Sequence, residues 1–135
     1  MADTRAAKSV PQLMLDSASQ DLAACVLLAT GPGIGDAVIG FHAQQAVEKA
    51  IKAVLSAHSI EFRRTHDLVT LLDLLEDHGL EAPPAADWLD ELNPYAVEAR
   101  YGMIDPGDLD RHRALEVVAQ VIAWAKVQSA FRQIP

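Results

Sequence analysis

Apolar residues recur at helical spacing in five parts of the chain, and none of these parts shows the strict alternation of a half-buried strand. This periodicity predicts helices over residues 10–29, 36–58, 65–79, 87–100 and 109–132. Glycine and proline stand between the helices, and Pro94 falls inside the fourth, which it should bend or briefly break. We therefore predict an all-α fold, a small antiparallel up-and-down bundle of about five helices.

Length and composition are those of an ordinary globular chain. Of 135 residues, 50% are hydrophobic and 22% charged, so we predict a single domain over 1–135, with a flexible N-terminus at 1–9. The net charge of -8 argues against non-specific coating of RNA or DNA, because that binding depends on neutralising phosphates. The first residues lack a signal-peptide pattern, and the charge-free stretch 22–35 is too short to span a bilayer. We expect a cytoplasmic protein that binds no membrane.

Cysteine, histidine and carboxylate positions offer little for metal binding or nucleophilic chemistry. Cys25 is the single cysteine and lies among apolar residues, so we expect a buried, unreactive thiol. No Asp or Glu has a histidine three positions later, which excludes the spacing of a di-iron carboxylate bundle. Asp108, His112 and Glu116 fall four apart on one helix face, where they either bind a cation or form a solvated helix start. We predict no metal and no cofactor, with that face as the open alternative.

The second helix carries polar residues on one side. Gln45, Glu48 and Lys52 stand at i, i+3 and i+7, and Glu48 precedes Lys52 in the order that favours an ion pair. Two interpretations are open. The pair lies on the surface and contributes little, or the helix is largely enclosed and its polar groups face a groove or a partner.

Arginines lie at the ends of two predicted helices. Residues 63–67, Arg-Arg-Thr-His-Asp, open the third helix, and Arg100 closes the fourth just before Gly102. Arginines beside the free N–H groups of a helix N-terminus are suited to hold a phosphate. The alternative at residues 63–67 is a capped, solvated helix start, and at Arg100 an ordinary helix end with a left-handed glycine cap.

Three segments, in this order and spacing, resemble the HEPN domain (higher eukaryotes and prokaryotes nucleotide-binding). They are residues 41–55 with Gln-Gln-Ala-x-Glu-Lys-x-x-Lys-Ala, residues 65–68 with Thr-His-Asp-Leu, and residues 99–101 with Ala-Arg-Tyr. The resemblance implies a helical bundle that usually forms a homodimer and, in bacteria, is often encoded beside a minimal nucleotidyltransferase as a toxin–antitoxin pair. The residues to which it extends a nucleotide- or RNA-binding role are Gln45, Glu48, Lys49, Lys52, Arg64, His66, Asp67, Arg100 and Tyr101.

Many HEPN proteins are metal-independent ribonucleases, and that activity requires an arginine followed, after four to six residues, by a histidine. No arginine of this chain has a histidine at that distance. Arg100-Tyr101 instead matches the Arg-Tyr piece of the non-nuclease branch, although that branch usually continues with proline where this chain has Gly102. The resemblance therefore makes ribonuclease activity doubtful.

We predict a dimeric HEPN-like binding module for nucleotide or RNA that acts with a nucleotidyltransferase partner. One rival is a ribonuclease with a non-standard site, for which Arg100, His66 and Tyr101 are the catalytic candidates. A second rival is a purely structural partner protein in which Arg100 and Glu48 form a buried ion pair.

Overall fold

Every secondary-structure element in the described part of the chain is a helix. The computed structural model describes residues 7–97, 101–102 and 108–130. The elements are α1 (Val10–Thr30), α2 (Asp36–Ala57), α3 (Leu68–Asp77), the short α4 (Ala86–Leu89), a 3₁₀ segment (Asp90–Tyr95) and α5 (Arg111–Ala130). The all-α prediction is confirmed, α1 and α2 begin and end within one residue of the predicted bounds, and α5 begins two residues later than predicted. The predicted end of the last helix, at residue 132, lies outside the described residues.

Three helices begin where the sequence supplies a side-chain cap, and at α5 the Asp110 carboxylate accepts from the Arg113 amide at 3.0 Å. At α1, the Ser9 hydroxyl accepts from the Gln12 amide at 3.3 Å, and the Gln12 side chain accepts from the Ser9 amide at 2.8 Å. At α3, the Asp67 carboxylate accepts from the Val69 amide at 3.0 Å. Such caps satisfy N–H groups that the first helical turn leaves without partners.

Helix α2 is the centre of the bundle. Twelve of its residues are buried, and α1, α3, α5 and the 3₁₀ segment all pack against it. Gly40 permits one of these contacts, because a Cβ at that position would lie 2.3 Å from the ring of Tyr95. The absence of a side chain therefore lets the 3₁₀ segment lie directly on α2.

The beginnings of α2 and α5 are joined by one carboxylate. Asp36 accepts from the Leu109 amide at 3.0 Å and from Arg111 Nε at 2.7 Å, and Arg111 also donates to the carbonyl of Ile34. The Leu109 amide, aided by the Arg111 guanidinium, lowers the pKa of Asp36. This junction places the N-terminal ends of α2 and α5 side by side.

Helix α1 packs along α2 in the opposite direction. By length and composition alone it could cross a membrane, with 21 residues and a mean hydropathy of 1.2 over its most apolar window. Core helices of globular proteins share that property, and α1 contributes Leu15, Ala18 and Cys25 to the core. The expectation that the protein binds no membrane stays a prediction.

Candidate functional site

Three polar side chains lie one helical turn apart along α2, at Gln44, Glu48 and Lys52. Glu48 Oε1 accepts from Gln44 Nε2 at 3.1 Å, and Glu48 Oε2 accepts from Lys52 Nζ at 2.9 Å. Gln44 is fully buried and Glu48 is only 4% exposed. A buried carboxylate is costly unless it is paired and hydrogen-bonded, and both oxygens of Glu48 meet that requirement.

The segment that connects α2 to α3 is held against this row by its own backbone. The carbonyl of His66 accepts from Gln44 Nε2 at 2.9 Å, and the carbonyl of Thr65 accepts from Lys52 Nζ at 2.8 Å. Lys52 Nζ also lies 5.6 Å from the centre of the Phe62 ring. We call residues 62–67 the basic loop, and its course is fixed by buried groups of α2.

His66 adds its ring to the same carboxylate. His66 Nδ1 lies 2.9 Å from Glu48 Oε1, and the side chain is 55% exposed. Because a carboxylate accepts but does not donate, Nδ1 carries the proton in this contact. In the neutral imidazole, Nε2 then holds a lone pair available to a ligand.

Arg63 and Arg64 complete the loop. Both are exposed, and neither has an ion pair or hydrogen bond with any other residue that the structure describes. Two guanidinium groups therefore stand next to His66 in the chain, on a backbone that Gln44 and Lys52 hold in place. A guanidinium offers a fork of N–H donors that matches a phosphate group, so this arrangement is suited to bind an anion.

Gln45 and Lys49 face away from that carboxylate. Gln45 reaches the row only through the Gln44 side chain, to which it donates at 2.8 Å. Lys49 Nζ lies 2.7 Å from Asp21 of α1, whose other oxygen contacts His42 Nδ1 at 3.0 Å. The structure thus places Lys49 in an α1–α2 cluster rather than beside Glu48.

Asp67 has a structural position at the start of α3. Its carboxylate accepts from the Thr70 hydroxyl and from Asn93 Nδ2, besides capping the helix. The Asn93 side chain in turn accepts from the Leu68 amide at 2.9 Å, which joins α3 to the 3₁₀ segment. Helix α3 therefore begins at Leu68, three residues later than predicted, because residues 65–67 bond to α2 and to this cap.

The remaining candidates divide into described and undescribed residues. Tyr101 is described and is 68% exposed. Arg100 lies outside the described residues. The structure therefore does not test a contact of Arg100 with His66 or the predicted ion pair of Arg100 with Glu48. At the start of α5, Glu116 contacts Arg113 at 3.2 Å, and His112 Nε2 is 3.9 Å away. Within the described part of the chain, no three metal-ligating side chains converge.

Sequence reasoning missed Gln44, the most enclosed polar residue of the site. The sequence contains the signal, since Gln44, Glu48 and Lys52 are each four residues apart. The prediction placed Gln45 instead of Gln44 on the face of Glu48, because a spacing of three residues also puts two side chains on one side of a helix. The surface interpretation of the Glu48–Lys52 pair is wrong, since the Lys52 side chain is only 15% exposed and Glu48 less. The helix is largely enclosed, as the other interpretation holds, but Gln44, Glu48 and Lys52 contact the basic loop of the same chain, and a groove or partner stays a prediction.

Comparison with known proteins gives one match. The family model of the HEPN domain matches residues 12–128, a range that contains α2, the basic loop and α3. No curated protein and no solved structure matches the chain. Because the family model covers most of the sequence, the chain belongs to the HEPN family.

Proposed function

We propose that this HEPN protein binds the phosphate groups of a nucleotide or RNA through its basic loop. Family membership supports a nucleotide- or RNA-related module in general. The observation that carries the finer proposal is a pair of exposed guanidinium groups, Arg63 and Arg64, which have no partner among the described residues and stand on a backbone bonded to Gln44 and Lys52. A loop that is already ordered loses less conformational freedom when it binds a ligand.

The buried carboxylate supports the same proposal indirectly. Glu48 pairs with Lys52 inside the bundle and contacts His66, so both oxygens of this carboxylate have partners other than the two arginines. The loop therefore presents positive charge although the whole chain carries -8. Such a site suits one nucleotide or a few phosphates rather than a long duplex.

Binding of labelled single-stranded RNA and of ATP, measured by fluorescence anisotropy across a salt series, tests the proposal. The double variant Arg63→Ala/Arg64→Ala should weaken binding about tenfold or more and reduce the salt slope by about two, one for each lost phosphate contact. The matched control Lys8→Ala/Lys126→Ala removes the same charge elsewhere. Equal weakening in both variants would show that net charge alone governs binding.

The partner and the oligomer belong to the same proposal. We propose a homodimer that acts with a minimal nucleotidyltransferase in a toxin–antitoxin pair, as the family resemblance implies. The apolar side chains of Val26, Leu27 and Val38 are exposed at the end of the bundle where α1 leads into α2. Such a surface supports the proposal that a second copy or a partner packs there. Co-purification with the product of a neighbouring nucleotidyltransferase gene tests the partner, and the absence of such a gene would count against it.

A ribonuclease activity is the second candidate, and one contact favours it. Glu48 orients His66 so that Nε2 is able to accept the proton of a 2′-hydroxyl, while the arginines hold the attacked phosphate. Attack of that oxygen on phosphorus would form a 2′,3′-cyclic phosphate and break the bond to the 5′-oxygen, which would leave as a hydroxyl after taking a proton from the His66 imidazolium or from water. Gel electrophoresis of the same labelled RNA after incubation with the protein tests this activity. Absence of cleavage by the wild type, or equal cleavage by His66→Ala, would eliminate the ribonuclease hypothesis.

A further inference from the structure

A recess of about 580 Å³ lies between the end of α3 and the start of α4. Its floor is apolar and includes the partly buried side chains of Leu72 and Leu80 together with Ala86. Gly79, which has a φ of +69°, lies in the turn that follows α3 and lines the recess. We call it the α3–α4 recess.

Three carboxylates surround this apolar floor. Asp73 and Glu76 of α3 and Asp87 of α4 are exposed and line the recess. None of the three has an ion pair or hydrogen bond from its side chain to another described residue. No lysine or arginine is among the described residues that line the recess. These residues therefore form a negatively charged rim around apolar side chains.

The rim belongs to a longer acidic segment. From residue 65 to residue 99 the chain contains no lysine or arginine, yet this segment carries nine of the nineteen carboxylates. The rest of the chain is nearly balanced, with ten carboxylates and all eleven lysines and arginines. The acidity of the whole protein is thus concentrated in α3, α4 and the residues around them.

We propose that the α3–α4 recess docks a basic amphipathic segment of a partner protein. An aliphatic side chain of that segment would cover Leu72 and Leu80, and flanking lysines or arginines would meet Asp73, Glu76 and Asp87. Nucleic acid and anionic lipid carry the same sign of charge as the rim and are repelled by it. The proposal uses none of the basic-loop residues and stands apart from phosphate binding.

Titration of ¹⁵N-labelled protein with a synthetic helix that has leucine on one face and lysine on the other tests the docking. We expect shift changes concentrated at Leu72, Asp73, Glu76, Ala86 and Asp87, and weaker binding at high salt. A lysine–serine helix of equal charge should bind about tenfold less tightly, because it cannot cover the apolar floor. Equal binding of the two helices, or changes spread over all acidic residues, would overturn the proposal.

Charge-matched variants separate the recess from general acidity. Asp73→Asn/Glu76→Gln/Asp87→Asn should reduce affinity for the leucine–lysine helix about tenfold, since each surface ion pair contributes a fraction of that. The control Glu61→Gln/Asp77→Asn/Glu91→Gln removes the same charge at exposed carboxylates outside the recess. Equal losses in both would overturn the proposal. Ala82→Phe fills the recess without changing charge, and unchanged affinity in that variant would also overturn it.

Discussion

Glu48 illustrates what a single buried charge does in this helical bundle. Its carboxylate takes two donors from its own helix, Gln44 and Lys52, and one from the loop, His66. Removal of Lys52 would leave an uncompensated charge in the core, which is far more destabilising than loss of an exposed pair. The same lysine also holds the Thr65 carbonyl. Pairing of one interior charge thereby determines the course of a surface loop.

Cys25 differs from Glu48, because its burial favours the uncharged form of the side chain. It is fully buried, its Sγ lies 3.5 Å from the carbonyl oxygen of Ile39, and burial raises the pKa of the thiol to about 12. The thiolate is the reactive form, so at a pH of about 8.5, where an ordinary thiol is half ionised, native Cys25 should react very slowly with an aromatic disulfide reagent. Absorbance of the released thiolate measures this.

Denaturant provides the positive control for that prediction, because the unfolded chain exposes Cys25 and should react at the ordinary rate. Ala23→Cys in a Cys25→Ala background provides a second control, since residue 23 is exposed on the same helix. Fast, complete reaction of the folded wild type would contradict the predicted burial effect.

At the scale of elements, the chain predicts helices well where one apolar face is long. Helices α1, α2 and α5 each extend over five or more turns, and their periodicity, with the glycine and proline between them, predicts where they lie. The start of α3 was wrong because Thr65 and His66 are bonded to α2, a tertiary contact that no local pattern reveals. The fourth predicted helix becomes four α-helical residues followed by a 3₁₀ segment containing Pro94.

The candidate site was predictable only in part, because some of its residues contact distant parts of the chain. Helical spacing singles out Glu48 and Lys52, the cluster at residues 63–67 contains His66, and the structure brings the three together. Lys49 differs because the periodicity of α2 cannot tell which neighbour a lysine meets, and Asp21 of α1 is that neighbour. Partners from distant parts of the chain become apparent only when helix packing is known.

The junction of α2 and α5 gives a prediction that depends on pH. The folded-state pKa of Asp36 is lowered, so its contribution to stability is present above the unfolded value, near 3.8, and is lost as the pH falls through the lower folded pKa. Asp36→Asn should reduce the free energy of unfolding by about 1.5 kcal/mol at neutral pH, and by much less in acid. Urea unfolding followed by tryptophan fluorescence measures both.

Asp77→Asn is the matched control, because Asp77 is exposed and its side chain has no ion pair or hydrogen bond within the described residues. Its effect should be small at every pH. A difference between wild type and Asp36→Asn that stayed constant from neutral to acid pH would contradict the role of the ionised carboxylate.

At the scale of the whole molecule, exposed apolar surface argues for a second copy. Leu27 is 73% exposed, and Val26 beside it is also open to solvent. Light scattering should give about twice the 14.6 kDa of one chain, and Leu27→Lys should shift the protein toward the monomer, because burial of a lysine charge opposes association.

Val127→Lys is the control for that measurement, since Val127 is also exposed but lies on α5. A monomeric wild type would refute the dimer. A dimer broken by Val127→Lys and unaffected by Leu27→Lys would move the interface to the α5 surface.

The concentration of carboxylates between residues 65 and 99 has a consequence for how the protein meets other molecules in solution. Arg63 and Arg64 before the start of α3, and carboxylates without partners among the described residues along the helix itself, give this region an electric dipole moment. A polyanion diffusing toward it experiences a torque that turns the arginines forward, and a polycation experiences the reverse. Orientation before contact raises association rates, and added salt screens the effect at separations greater than about one Debye length. One acidic chain is thereby able to meet a polyanion in one orientation and a polycation in another.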